Sequence, residues 1–226
     1  MAKKIARTKQ QPAQKHRRAK GGSVGLNLTD DNGKRLKEVD DIARSQKISV
    51  FLSYPKPCFG AQQKFIQRVT KHLKERGFAP RTLGVTDYDM DAPLTAIRRL
   101  MLESNGLLTV AFRRTFVKKG TARLRTDVAG LKETTIDGQW LTTPWAHIEA
   151  AMAYQIGLPI LILRENDVLD DGILERGVVG LYMPEFNLTQ ALDGYFNSPE
   201  WNGVIGKWEG HVRAVVEKKG APPRLY

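Results

Sequence analysis

The segment Thr142-Thr143-Pro144-Trp145-Ala146-His147-Ile148-Glu149 carries the residues best suited to chemistry. Thr143 followed by Pro144 reads as a helix N-cap and first helical residue. Trp145 and Glu149, four apart, then share one helix face. Both fall in the first turns, near free backbone N–H groups and the positive dipole end, which predicts an ionised Glu149 carboxylate. The indole beside it offers a flat, electron-rich face for a nucleobase or a cationic pyridinium ring. A carboxylate against such a platform suits cleavage of a glycosidic bond at a ribose. It would stabilise an oxocarbenium-like transition state or grip the ribose hydroxyls. A nicotinamide leaving group would need no general acid, because it departs already neutral.

Other residues extend this candidate site. Ser53 and Tyr54 lie at the exit of an apolar β segment, where open α/β sheets bind ligands. The loop Thr86-Asp87-Tyr88-Asp89-Met90-Asp91 offers Asp87 and Asp89 for sugar hydroxyls or a base. Arg113 and Arg114 open a basic stretch suited to phosphate. The four histidines, His16, His72, His147 and His211, are scattered, so no metal site is expected. A single cysteine, Cys58, excludes an internal disulfide framework and a multi-cysteine zinc site. The chain lacks a P-loop, a GxGxxG fingerprint, HExxH and GxSxG.

The elements that must position these residues alternate along the chain. Ile48 to Ser53 reads as a central strand, apolar on both faces. A helix follows with Phe65, Ile66, Val69 and Leu73 on one face and Gly77 as its stop. Phe78 to Leu83 is a weaker strand. Asp91 and Pro93 cap and start a helix bearing Leu94, Ile97 and Met101. Leu107 to Phe112 is a third strand, Arg113 to Thr143 a long polar loop of functional or mobile character, and Pro144 to Gly157 the helix of Trp145 and Glu149. Pro159 to Leu163 is a fourth strand and Gly177 to Tyr182 a short fifth. The last helix begins near Pro199 and turns Val204, Ile205, Trp208, Val212 and Val215 inward. The expected fold is α/β, a flavodoxin-like doubly wound parallel sheet of about five strands with helices on both faces.

The chain has 226 residues, 41% hydrophobic and 27% charged, with a formal net charge of +12. Residues 1–20 hold eight of the 36 lysines and arginines and no acid, leaving 28 bases against 24 acids. The basicity is therefore mainly a tail. Residues 1–28 read as a solvated extension capable of loose polyanion contact through residues 1–20. Residues 29–46 read as a short amphipathic helix with Leu36, Val39 and Ile42, and 47–226 as a single domain. That short helix could pack on the body or on a second copy; it and the C-terminal helix with Trp208 are the candidate contact surfaces. No apolar run reaches the roughly 18 residues of a membrane span, and the start lacks a secretory signal. A soluble, reducing, cytoplasmic setting without membrane contact is expected.

The body resembles a TIR domain. Ile48-Ser49-Val50-Phe51-Leu52-Ser53-Tyr54 is similar to that family's first-strand motif. Ile97, Ser104 and the strand Leu107 to Phe112 resemble its second helix and third strand. Trp145-Ala146-His147-Ile148-Glu149 resembles the W-x-H-x-E of an NAD-cleaving member, and Gly157-Leu158-Pro159-Ile160 its approach to the fourth strand. The resemblance covers roughly residues 47–165. It implies Glu149 as the catalytic residue cleaving NAD at the nicotinamide–ribose bond, with Ser53, Tyr54 and Trp145 lining the site. NAD would be a substrate, with no cofactor. It further implies activity in a homo-oligomer and a setting in immune or antiphage signalling. Pro55-Lys56-Pro57 and residues 113–143 and 166–189 depart from the family pattern. The body also resembles nucleoside 2-deoxyribosyltransferases, in which the glutamate is a nucleophile forming a glycosyl ester on a nucleoside. A third reading is a non-catalytic interaction or nucleotide-sensing module, its basic 113–125 loop holding a phosphate-bearing ligand or an acidic partner surface.

Overall fold

The computed structural model describes residues 47–180 and 182–218. The expected tail (1–28) and amphipathic helix (29–46) lie outside the described residues.

The strands in chain order are β1 (Ile48–Ser53), β2 (Phe78–Arg81), β3 (Leu107–Ala111), β4 (Thr115–Val117), β5 (Thr121–Ala122), β6 (Thr134–Thr135), β7 (Gln139–Leu141), β8 (Ile160–Glu165) and β9 (Glu185–Phe186). Five of them form a parallel central sheet in the order β2-β1-β3-β8-β9. Between β3 and β8 come two small antiparallel pairs, β4 with β7 and β5 with β6. The helices are α1 (Gly60–Glu75), α2 (Pro93–Leu102), α3 (Pro144–Gln155), the short α4 (Leu192–Phe196) and α5 (Pro199–Glu217). This is the doubly wound, flavodoxin-like arrangement that the strand–helix alternation predicts.

Side-chain alternation along β1 divides the core. Val50 and Leu52 join α1 and α5 through Phe65, Val69, Trp201, Ile205 and Trp208. Phe51 points the other way and joins α2 and α3 through Ile97, Leu100, Ala150 and Ala153. Both faces of β1 are therefore covered, which is why its central residues, Val50 to Leu52, are apolar on both faces. The period of two then aims Ser53 toward α3. α3 buries only alanines, Ala146, Ala150 and Ala153. Small side chains bring its backbone close to the sheet.

Several boundaries differ from expectation. The fifth strand is Glu185–Phe186, not 177–182. Gly177 has a φ of 93° and its N–H donates to Gly180 O, so the apolar run there begins as a tight turn. Leu181 lies outside the described residues. Ala92, not Asp91, is the N-cap of α2; the Asp91 N–H is held instead by Asp89 Oδ1 at 3.0 Å. The polar stretch 113–143 contains two short antiparallel pairs. Trp208, expected both to face inward and to mark a contact surface, is buried and donates from Nε1 to Pro159 O at 3.2 Å. Among the described residues no helix is long and apolar enough to cross a membrane.

Candidate active site

The carboxyl end of β1 is the switch point of this sheet. The chain leaves β1 to form β2 on one side and returns to form β3 on the other. Loops diverge there and leave a crevice, the usual place for a ligand. A cavity of about 260 Å³ occupies it, with Ser53, Tyr54, Lys56, Thr82, Arg114, Thr143, Trp145 and Glu149 among its lining residues.

Glu149 and Ser53 meet in this cavity although 96 residues separate them in sequence. The Ser53 hydroxyl donates to Glu149 Oε2 in a short hydrogen bond. Ser53 is buried, fixed by strand pairing of Phe51 to Leu107 and Ser53 to Thr109. Glu149 is half-buried and Trp145 is 43% exposed, its indole forming an open wall one helical turn away. The carboxyl is not simply ionised, as its helix position suggests. Burial pushes its pKa up to about 7, against the Ser53 hydrogen bond, which lowers it. α3 begins at Pro144, so Glu149 stands in the second turn, where the dipole effect has largely faded. Near neutrality the group is therefore divided between acid and carboxylate. Burial also raises the Tyr54 phenol, keeping it a protonated donor.

The remaining expected residues separate into two sets. Arg114 lines the cavity, and its Nη1 donates to Lys56 O at 2.8 Å and contacts Cys58 Sγ. Arg113 does not line it. Its guanidinium donates to Asn166 O and Asp167 Oδ2, each at 2.6 Å, and lies over the Trp140 ring. Asp87 and Asp89 are likewise absent from the lining. Asp87 pairs with Arg81, and Asp89 with Arg99 at 2.8 Å. These carboxylates brace the β2–α2 loop through their ion pairs. Among the described residues, no group of three or more His, Cys, Asp and Glu side chains is placed to hold a metal ion.

Lys56, Thr82 and Thr143 were not foreseen as lining. Lys56 and Thr82 closely follow β1 and β2, so the rule that ligands sit beyond strand carboxyl ends is the signal that points to them. Two buried groups beneath the cleft are also illegible in sequence. Gln62 Oε1 accepts the Cys58 N–H at 2.9 Å, and Glu165 Oε2 accepts the Arg113 N–H at 2.9 Å. Gln62 Nε2 lies 3.4 Å from both Glu165 Oε2 and Arg113 O. This network ties the loop after β1 to the ends of β3 and β8.

No family model and no curated protein sequence matches the chain. Solved structures that match it include the CMP N-glycosidase BcmB of Clostridium botulinum. It is 17% identical with a TM-score of 0.37, over 65% of this chain and 98% of the other. The TIR domains of the activated Roq1 resistosome, which recognises the pathogen effector XopQ, are 14% identical with a TM-score of 0.34. That match covers 77% of this chain and 86% of the other. Likeness at this level assigns neither family nor activity.

Proposed function

We propose that the chain is a TIR-like hydrolase of N-glycosyl bonds that cleaves NAD between nicotinamide and ribose, with Glu149 as its catalytic residue. The observation that carries this reading is the Ser53–Glu149 pair beside Trp145 at the switch-point crevice. In the productive arrangement the pyridinium ring stacks on Trp145, which orients its glycosidic bond toward the carboxylate. Ser53 holds one carboxylate oxygen. The other faces the anomeric carbon as positive charge develops there and stabilises it electrostatically. Nicotinamide leaves as a neutral molecule, so no acid is required. Attack by water on the ribosyl carbon, with loss of a proton to solvent, then yields ADP-ribose; attack by a nucleophile within the same ligand yields a cyclised form.

The raised Glu149 pKa favours a second reading. A protonated Glu149 is a general acid, which a nucleoside with a poorer leaving base needs. That chemistry belongs to a nucleoside or nucleotide N-glycosidase, or to a deoxyribosyltransferase in which the ionised carboxylate forms a glycosyl ester.

Incubating the purified chain with NAD and, separately, with deoxynucleosides, with product separation by chromatography and mass detection, distinguishes these. Nicotinamide release that disappears in Glu149→Gln supports NAD cleavage. Base release from deoxynucleosides alone moves the assignment to the second reading. Full biological activity in Glu149→Gln without turnover of either substrate would leave a non-catalytic module.

A further inference from the structure

A second cavity, of about 630 Å³, runs along α1. One flank of this helix is committed to the body: Arg68 pairs with Asp193 of α4, and His72 and Arg76 pair with Glu209 of α5. The cavity lies on the other flank, along the stripe Gln63, Gln67, Thr70 and Lys74, with Ile66 between them. Eleven residues separate Gln63 from Lys74, so the stripe is about 16 Å long. Tyr54 and Lys56 line this groove and the Glu149 cleft alike. The two cavities therefore flank the same segment, Tyr54 to Lys56, at the exit of β1. The cleft alone, at about 260 Å³, is small for a nucleotide-sized ligand, whereas the groove falls within the usual range of roughly 300–1,000 Å³.

Lys56 lines both cavities and Arg114 lines the cleft, where its Nη1 donates to the Lys56 backbone O. The loops bearing them are pinned from below by Gln62 and Glu165. Lys56 and Lys74 have no acidic partner among the described residues, whereas Lys71 lies 3.7 Å from Glu75. We infer that the cleft and the α1 groove form one bipartite site for a dinucleotide. The scissile riboside occupies the cleft against Trp145 and Glu149. The pyrophosphate bridges Lys56 and Arg114. The second nucleoside lies in the groove, with Tyr54 and Ile66 as its apolar wall and the amides of Gln63 and Gln67 at its polar edges. The shared segment and its charge select this occupant: a dinucleotide has rings at its ends and its anionic group between them, matching Lys56 between two recesses with Arg114 beside it. This assignment rests on the N-glycosyl-cleaving reading of the cleft and extends it.

The test uses the full chain carrying Glu149→Gln, so that ligand is not consumed, and calorimetric titration with NAD and with nicotinamide mononucleotide. NAD should bind at least tenfold more tightly than the mononucleotide. Adding Gln67→Trp or Thr70→Trp, which fills the groove from an exposed or half-exposed position, should collapse that ratio below twofold, with unchanged melting temperature. Lys56→Ala should weaken both ligands, since both carry a phosphate beside the scissile riboside. Equal affinities, or a tenfold ratio that survives the groove-filling changes, would overturn the inference. If those changes instead alter the elution volume of the chain, the groove belongs to self-association and the inference falls. The parent reading fails separately: wild-type chain that releases no nicotinamide and binds neither nucleotide overturns both. Nicotinamide release with equal kcat/KM from NAD and the mononucleotide removes only the bipartite site.

Discussion

Replacing Glu149 by glutamine should raise the stability of the protein above neutral pH and not below pH 5. In the unfolded chain this carboxyl titrates near 4.5; in the folded cleft burial pushes it up to about 7. Between those values the native state holds a proton that the unfolded state has released. Stability therefore falls as pH rises through this window. The interval of about 2.5 pH units, at about 1.36 kcal/mol each, places the full penalty at about 3 kcal/mol above pH 8. Glutamine carries no charge to desolvate and keeps an oxygen for the Ser53 hydroxyl. For a chain of this size each 1 kcal/mol moves Tm by roughly 2–4 °C, so Glu149→Gln should melt about 6–12 °C higher at pH 8. At pH 5, where the native carboxyl is already protonated, the difference should shrink to about 2 °C or less. Scanning calorimetry of the two proteins at both pH values measures this directly. Glu165, also raised by its burial, is present in both and cancels from the comparison. An equal shift at pH 5 and pH 8, or a loss of stability at pH 8, would refute the argument that desolvation governs this group.

The same titration should shape catalysis. Nicotinamide release should rise about tenfold from pH 6 to pH 8 with a midpoint near 7, because the ionised form stabilises the transition state. Ser53→Ala removes the hydrogen bond that lowers the Glu149 pKa and should move the midpoint upward; a rate that falls above pH 7 would favour the general-acid reading. If the active form is a homo-oligomer, specific activity should climb with protein concentration, and strict proportionality in a dilution series would exclude that. Gly106→Ala places a Cβ 2.5 Å from Val212 Cγ2 and 3.3 Å from Trp208 Cζ2, so it should lose about 1–3 kcal/mol of stability in denaturant unfolding.

How much of the fold was legible follows from how each element is buried. β1 and β3 are covered on both faces and carry apolar residues on both, Val50 to Leu52 in one and Leu107, Leu108, Val110 and Ala111 in the other. α1 ends where Gly77 takes a φ of 84°, and α3 starts at Pro144, both as local chemistry predicts. β9 was missed because it is two residues long and held by two pairings to β8. Its apolar anchor, Phe186, stacks on Phe65 with ring centroids 4.0 Å apart, a contact invisible to any local pattern. The pairs within 113–143 are only two or three residues long, too short to show an alternation.

The site divides along the same line. Trp145 and Glu149 declare their shared face through spacing alone, and Ser53 declares its place at a strand exit. Their meeting depends on strand order, which no local pattern carries. In the Asp87/Asp89 loop the clustered acids are legible, but their partners Arg81 and Arg99, from β2 and α2, become visible only in the fold. The protonation of Glu149 is decided by magnitude. A helix dipole acts on a carboxylate by about 0.3–1 kcal/mol and fades within the first turn. Desolvation in the cleft opposes ionisation by about 3 kcal/mol at the pKa the fold imposes. The larger effect wins, and it arises only once the alanine face of α3 closes on the sheet. The position of Glu149 on its helix is thus legible in sequence, while its protonation near neutral pH is set by packing.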